Sequence, residues 1–426
     1  MFERGIAVIG LGYIGLPTSA ALAMQGVVVK GVDVNPTVVE AVNQGAVLIV
    51  EPDLDLAVAG AYARGNLSAS LSVPESDAFL IAVPTPFTEG HQPDLSYVQA
   101  AAESIAPQLR GGEVIILEST SPPGTTRKVS AWIAAARPDL KLPHDFPDDP
   151  DVHVAHCPER VLPGRIMIEL VTNDRIIGGI TPQCAQRAAD VYSLFCTGEI
   201  LFTDADSAEM AKLVENSFRD VNIAFANELA TVTGHMNLNV WEIIRLANKH
   251  PRVNVLSPGP GVGGHCIAVD PWFIVSAAPS QSRLIRTARE VNDARPDGVV
   301  QEIVSASEDA GGPVACLGLS FKANIDDLRE SPAVLVVERT AVALPDRRIL
   351  VVEPHIERLP SSLESFANVE LVSLEKAMGE ALTIALLVDH QAFTHLTLED
   401  VQTKHVVDTR GLWAAPTVHR QKGARP

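Results

Sequence analysis

Residues 5 to 17 read GIAVIGLGYIGLP, a short apolar run followed at once by Gly10-Leu-Gly12-Tyr-Ile-Gly15. A helical pattern continues through Gln25, and VVVKGVD then ends on Asp33. Strand, glycine turn, helix and a second strand closed by an acid form the context in which G-x-G-x-x-G holds a dinucleotide. Gly10 makes the tight turn and Gly12 admits the pyrophosphate to the backbone. Gly15 lets helix and strand pack closely, and Tyr13 and Ile14 complete the loop. Asp33 stands where an acid accepts the ribose 2′-hydroxyl. A carboxylate there repels a 2′-phosphate, so the cofactor expected is NAD rather than NADP.

Outward from this unit the chain keeps alternating. AFLIAVPTP (78–86), EVIILESTSPPG (113–124), VHVAHCPE (152–159) and RIIGG (175–179) are strand-like runs ending in polar or proline turns, with helical stretches between them. They describe a doubly wound α/β fold with a parallel sheet. Ligands of such sheets sit at the C-terminal strand ends. Pro84, Thr85, Ser119, Thr120 and Glu159 fall there. HDFPDDPDVH (144–153) reads as an exposed acidic loop. His153, His156 and Cys157 have no further ligands near them at metal spacing, so no metal is expected.

At 426 residues the chain is long enough for two or three domains, and 46% hydrophobic with 20% charged residues marks it as globular. The net charge of −19 argues against nucleic acid or an anionic membrane as partner. A phosphate-bearing ligand must then be held locally, by placed cations and helix N-termini. The five cysteines are scattered with no CxxC, which fits a reducing cytoplasm. The N-terminal apolar run lacks a basic flank and a cleavage site, so it is not read as a signal peptide. No transmembrane segment is expected.

Near 205 the texture changes. Asp206 and Glu209 resemble a capping box, and apolar residues recur at helical spacing to 232, followed by a second helix near 239–248. On the other face Lys212, Asn216, Arg219 and Ile223 align. A third helical stretch spans about 281–309, with a break or kink expected at Pro296. From 312 a smaller α/β unit without G-x-G-x-x-G begins, with strands in 313–321, 347–354, 383–390 and 404–411. The expected domains are 1–204 (NAD-binding, Rossmann-like), 205–310 (central helical dimerisation region) and 311–426 (C-terminal Rossmann-like, UDP-sugar). After the first strand of the last domain, Lys322 and Arg329 flank the start of a helix, a terminus suited to phosphate. The basic tail after about Thr417 is expected to fray.

GPGVGGHCIAVDPWF (259–273) sets Cys266 behind four glycines and four residues before Asp270. Alone, this loop is compatible with a surface turn carrying a buried cysteine or with a tight catalytic loop.

In order along the chain, GLGYIGLP, VPTP, ESTSPPGTT, CPERVLPGR, AKLVENSFRDVNIAFANEL, GPGVGGHCIAVDP, GLSFKANIDDLRESPA and VVDTRG resemble the UDP-glucose/GDP-mannose dehydrogenase family. PERVLPGR with GGHCIAVDPWF is most similar to the branch that oxidises UDP-N-acetyl-D-mannosamine. The resemblance implies oxidation of a C6 alcohol to a carboxylate with two NAD, and a homodimer. It makes Cys266 the nucleophile that carries the intermediate as thiohemiacetal and thioester. Lys212 and Asn216 then stabilise the alkoxide. Asp270 positions or activates water, and Thr120 and Glu159 complete the catalytic set, with Glu159 a candidate base. Lys322 and Arg410 hold the UDP-sugar, with Arg160, Arg219, Gly263 and His265 also at the substrate. Arg329 approaches the cofactor, and Arg252 is the arginine that dimers lend to the neighbouring subunit.

Two departures matter. Pro163 stands where UDP-glucose dehydrogenases carry a second glutamate, and His265 is absent from that branch, where it is read here as a pocket-shaping or N-acetyl-recognising residue or a structural one. Both favour an N-acetylated sugar, with UDP-N-acetylglucosamine and UDP-glucose 6-dehydrogenases as alternatives. A single-step dehydrogenase of the 6-phosphogluconate type needs neither Cys266 nor residues 312–412. A non-catalytic NAD-binding protein has no use for Lys212, Asn216, Cys266 and Asp270 together.

Overall fold

A computed structural model describes residues 2–88, 90–264 and 267–414. The chain divides into two compact units, Met1–Glu215 with Trp272–Pro279, and Asn216–Pro271 with Ser280–Pro426. The first is built on eight strands: β1 Ile6–Ile9, β2 Val29–Val32, β3 Leu67–Ser70, β4 Ala78–Ile81, β5 Val114–Leu117, β6 His153–His156, β7 Arg175–Gly179 and β8 Ile200–Asp204. Their order is β3-β2-β1-β4-β5-β6-β7-β8, so the first six strands have the doubly wound arrangement expected of a dinucleotide fold. β1, β4, β5 and β6 are buried at every position, which is why they read as unbroken apolar runs. Ile6, Val8, Leu80 and Ile116 pack into one core layer, and Ala7, Ile9, Phe79 and Ile115 into the other.

The expectation of a parallel sheet holds for these six strands and fails at β7, which pairs antiparallel with β6. The connection 157–174 therefore never crosses the sheet. It stays at the C-terminal edge of β6 and delivers Arg175, the first residue of β7, back to that edge.

The expected capping box is also corrected. Asp204 caps the helix Ala205–His235, accepting from the Ser207 N–H at 2.9 Å and its hydroxyl at 2.7 Å. Glu209, one turn in, lies on the buried face and caps a different helix, Thr125–Ala136. It accepts from Gly124 N (2.7 Å), Thr126 N (2.7 Å) and the Thr126 hydroxyl (2.6 Å).

The second unit contains helices Val240–Ala247 and Arg283–Ala310 and a parallel sheet of five strands: β9 Val314–Leu317, β10 Ile349–Val352, β11 Val369–Leu371, β12 Thr383–Leu386 and β13 His405–Asp408. The order β11-β10-β9-β12-β13 repeats that of the first five strands of the other unit. Pro296 lies inside the helix Arg283–Ala310, which continues through it and is not broken there. An interior proline forfeits a helical hydrogen bond; here its ring is buried, and tertiary packing offsets that loss.

Among the described residues, no helix is long and apolar enough to cross a membrane.

Candidate active site

The dinucleotide loop follows the spacing of its glycines. Gly10 has φ +94°, and a Cβ there would fall 2.4 Å from the Ala82 carbonyl. A Cβ on Gly15 would sit 1.8 Å from the Gly10 oxygen, whereas one on Gly12 would meet nothing within 4 Å. The turn is thus closed at its two ends and open in the middle. The helix Gly15–Met24 begins without a side-chain cap and without an acid in its first turn, which leaves its N-terminal field to an anion. Asp33, half-buried, accepts from Leu11 N and Asn35 N, both at 2.8 Å. It therefore fixes the glycine loop and retains lone pairs for a ribose. These residues fit NAD.

At the neighbouring edge, Ser119 joins the ends of β4 and β5. It donates to the Val83 carbonyl at 2.7 Å and accepts from Val83 N at 3.0 Å. The Thr85 hydroxyl donates to the Thr120 carbonyl at 2.6 Å, so Thr85 and Thr120 are brought together, with Pro84 exposed beside them. The chain then forms a hairpin in which His91 stacks on Trp272, ring centroids 4.0 Å apart.

Glu159 is buried. Its Oε2 accepts from Arg175 at 2.8 Å and its Oε1 from Arg160 N at 2.6 Å. The Arg160 side chain pairs with Glu215 at 2.6 Å, one residue before Asn216. Lys212 lies one turn before Asn216 on the long helix. It is half-buried, with no ion pair among the described residues. Arg219 and Tyr13 are exposed, and Ile14 is half-buried.

In the second unit, Asn216 donates through Nδ2 to Asp270 Oδ2. Asp270 is buried and opens the helix Asp270–Ala277, with Pro271 behind it. Residues 267–269 form a turn and the helix starts at Asp270, directly before Pro271, so the expectation that Pro271 keeps Asp270 out of a helix does not hold. The glycine loop lies close against the helix start Ser331–Pro332: a Cβ on Gly263 would meet the Glu330 carbonyl at 2.5 Å and Pro332 Cδ at 2.6 Å. Cys266 and His265 lie outside the described residues.

Sequence reading missed what holds this loop. Gly259 N donates to Asn227 Oδ1 at 2.9 Å, and Asn227 Nδ2 donates to Asn292 Oδ1 at 2.9 Å. Asn292 in turn donates to Asp220, which also pairs with Arg289, 1% exposed. Arg295 Nε donates to the Gly259 carbonyl at 3.3 Å. Polar residues on the apolar face of two long helices were the available signal.

Lys322 and Arg252 are exposed. Arg329 pairs with Asp327 at 2.6 Å. Arg410 pairs with Asp389 at 2.8 Å, and its Nη1 would lie 2.8 Å from a Cβ on Gly259. The glycine turn of the first unit recurs here. Gly318 N donates to Val352 O at 2.8 Å and Leu319 N to Glu353 Oε2 at 2.7 Å, as Gly10 N does to Val32 O and Leu11 N to Asp33. Glu353 also accepts from Ser320 N at 3.1 Å and pairs with His390 Nε2 at 3.0 Å, while His390 Nδ1 accepts from Asn324 N at 3.0 Å. Glu353, His355 and His390 cluster at metal-like distances, but both His390 nitrogens are spent on hydrogen bonds.

Comparison with known proteins agrees with this geometry. Three domain models of the UDP-glucose/GDP-mannose dehydrogenase family match the chain: the NAD binding domain over residues 4–196, the central domain over 206–294 and the UDP binding domain over 315–415. The chain is 56% identical to an NDP-N-acetyl-D-galactosaminuronic acid dehydrogenase of Ralstonia nicotianae, over 97% of each. It is 52% identical to the UDP-N-acetyl-D-mannosamine dehydrogenase of Escherichia coli, over 96% of this chain and 99% of the other. The UDP-N-acetyl-mannosamine dehydrogenase structure from Staphylococcus aureus superposes with a TM-score of 0.82 at 40% identity, covering 96% of this chain and 95% of that one.

Proposed function

From the premise that this chain belongs to the UDP-glucose/GDP-mannose dehydrogenase family and is an NAD-dependent UDP-sugar dehydrogenase, we propose that it oxidises the C6 alcohol of UDP-N-acetyl-D-mannosamine to the uronic acid. The observation that carries the chemistry is the Asn216–Asp270 hydrogen bond, which joins two of the residues assigned to the reaction across 54 positions of sequence. NAD, when bound, accepts hydride. Asp33 orients its ribose, the Gly10–Gly15 loop cradles its pyrophosphate, and Thr85, Thr120 and Arg329 border it.

Lys212 and Asn216 stabilise the alkoxide left when the C6 hydroxyl loses its proton. An aldehyde has no second hydride to give until a nucleophile adds. Cys266 supplies that nucleophile: its sulfur bonds to C6 and the carbonyl oxygen takes a proton, forming a thiohemiacetal. Loss of a hydride to NAD and of the hydroxyl proton leaves a thioester, which water cleaves to carboxylate and thiol, with Glu159 and Asp270 orienting the water and taking its proton. Overall, alcohol, two NAD and water give carboxylate, two NADH and three protons. Arg160, Arg219, Gly263, His265, Lys322 and Arg410 hold the nucleotide sugar. The functional segments are 1–204, 205–310 and 311–426. The chain acts as a homodimer with Arg252 reaching the neighbouring site, a reading supported by Phe218 and Phe225, 71% and 57% exposed on the long helix.

The Ralstonia relative supports a second reading, an N-acetylgalactosamine configuration of the same sugar class. NADH released per mole of limiting sugar decides between them. Two NADH with the mannosamine nucleotide alone is the expected result. Two with the galactosamine, glucosamine or glucose nucleotide instead moves the specificity, one NADH removes the covalent role of Cys266, and none with any sugar overturns the reading.

A further inference from the structure

One buried acid beside Glu159, at the edge of the first sheet, has no part in the chemistry above. Glu118 follows β5 and is 2% exposed. Its Oε1 accepts from the Tyr192 hydroxyl at 2.7 Å, and its Oε2 has no partner among the described residues. Arg175 lies with its guanidinium carbon 5.2 Å from the Tyr192 ring centre and donates through Nη1 to Glu159. The Arg175 Nε also lacks a partner among the described residues. The groups facing Glu118 are Glu159 and Cys157 after β6, Arg175 at the start of β7 and Tyr192 at the end of the helix Pro182–Tyr192. The helix Gly15–Met24, in the same core layer, carries no charged residue.

This arrangement is unbalanced for an anion. A carboxylate buries a full charge here with one donor to serve it; the neutral acid leaves the same oxygen unpaired but has no charge to desolvate. Two carboxylates beside a single guanidinium also leave one negative charge uncompensated in a dry site. We propose that Glu118 is a positioning residue: as an acid it leaves Arg175, whose Nη2 donates to the Leu170 carbonyl, with Glu159 as its one carboxylate partner, and as a carboxylate it draws on Arg175 and loosens the hold that orients Glu159. Burial, then the charge of Glu159, push the Glu118 carboxyl up to about 7, against the opposing pull of Tyr192 and Arg175. The change of state therefore falls near neutral pH. The proposal rests on Glu159 acting on water in thioester hydrolysis.

The experiment is the pH dependence of kcat from about pH 5 to 9 for wild type, Glu118→Gln and Tyr192→Phe, with KM measured for NAD and nucleotide sugar. Glutamine keeps the shape and cannot ionise. The ratio of E118Q to wild-type kcat is expected to be flat below about pH 6 and to rise through about pH 7, with both KM values within about twofold of wild type. Y192F removes the donor that favours the anion, so its bend is expected at higher pH than wild type. Should E118Q fail to fold, Y192F carries the test. A ratio flat across the whole range, or an unmoved bend in Y192F, overturns the proposal. Glu159→Gln separates the causes: if it keeps full kcat, the Glu159 reading has failed and the proposal falls with it. If it loses kcat while the ratio stays flat, Glu118 alone was misassigned. Infrared spectra give a readout independent of turnover, since the protonated-carboxyl band below about pH 6 is expected to be weaker in E118Q than in wild type, Glu209 supplying what remains. A band unchanged in E118Q overturns the proposal.

Discussion

On the proposed mechanism a single residue, Cys266, decides whether oxidation stops at the aldehyde. Cys266→Ser places a hydroxyl where the thiol stood, and a hydroxyl is a far weaker nucleophile at neutral pH. The variant is expected to bind NAD and nucleotide sugar normally and to form almost no uronate, measured as NADH and carboxylate per mole of sugar. Asp33 works at the same scale. Its carboxylate already fixes Leu11 N and Asn35 N, so Asp33→Ala loses the ribose contact and slackens the loop that meets the pyrophosphate. A charged hydrogen bond is worth about 1.5–3 kcal/mol, so NAD affinity is expected to fall by roughly ten- to a hundredfold, with the preference over NADP blunted, both read by titration calorimetry.

At the scale of elements, one acid can serve a helix other than its own. Glu209 belongs to the helix Ala205–His235 yet closes the N-terminus of Thr125–Ala136. Burial raises its carboxyl from 4.5 to about 7, with hydrogen bonds from Thr126 and Gly124 opposing. Because the folded state holds this proton more tightly than the unfolded chain, the stability linked to Glu209 is full below about pH 4.5 and declines as pH rises to about 7. The slope is on the order of 1 kcal/mol per pH unit. Urea denaturation of wild type and Glu209→Gln across this window is expected to show the wild type losing stability relative to the variant as pH rises; parallel curves would refute the assignment.

For the molecule as a whole, the main feature is a repeat. Two sheets share the strand order and the glycine turn closed by an acid, Asp33 in one and Glu353 in the other. The second copy is sealed by His390 and Ser320, so the same backbone device serves a different nucleotide. Glu353→Ala strips acceptors from two buried N–H groups, each loss costing about 1–3 kcal/mol. It is expected to lower the denaturation midpoint and raise KM for the nucleotide sugar while leaving the Kd for NAD unchanged.

What the amino-acid order determined by itself is local. The Gly10–Gly15 loop, Asp33 and the buried strands were legible because glycine geometry and apolar runs act over a few residues. The tertiary structure decided every pairing between distant polar residues: Glu209 with Thr126, Glu159 with Arg175, Asn216 with Asp270, Gly259 with Asn227. It also turned β7 antiparallel to β6, which keeps Glu159 and Arg175 at one edge. A buried acid looks like any surface acid in sequence, since its partner is chosen by how elements pack, and the desolvation that makes the partner necessary exists only once they have packed.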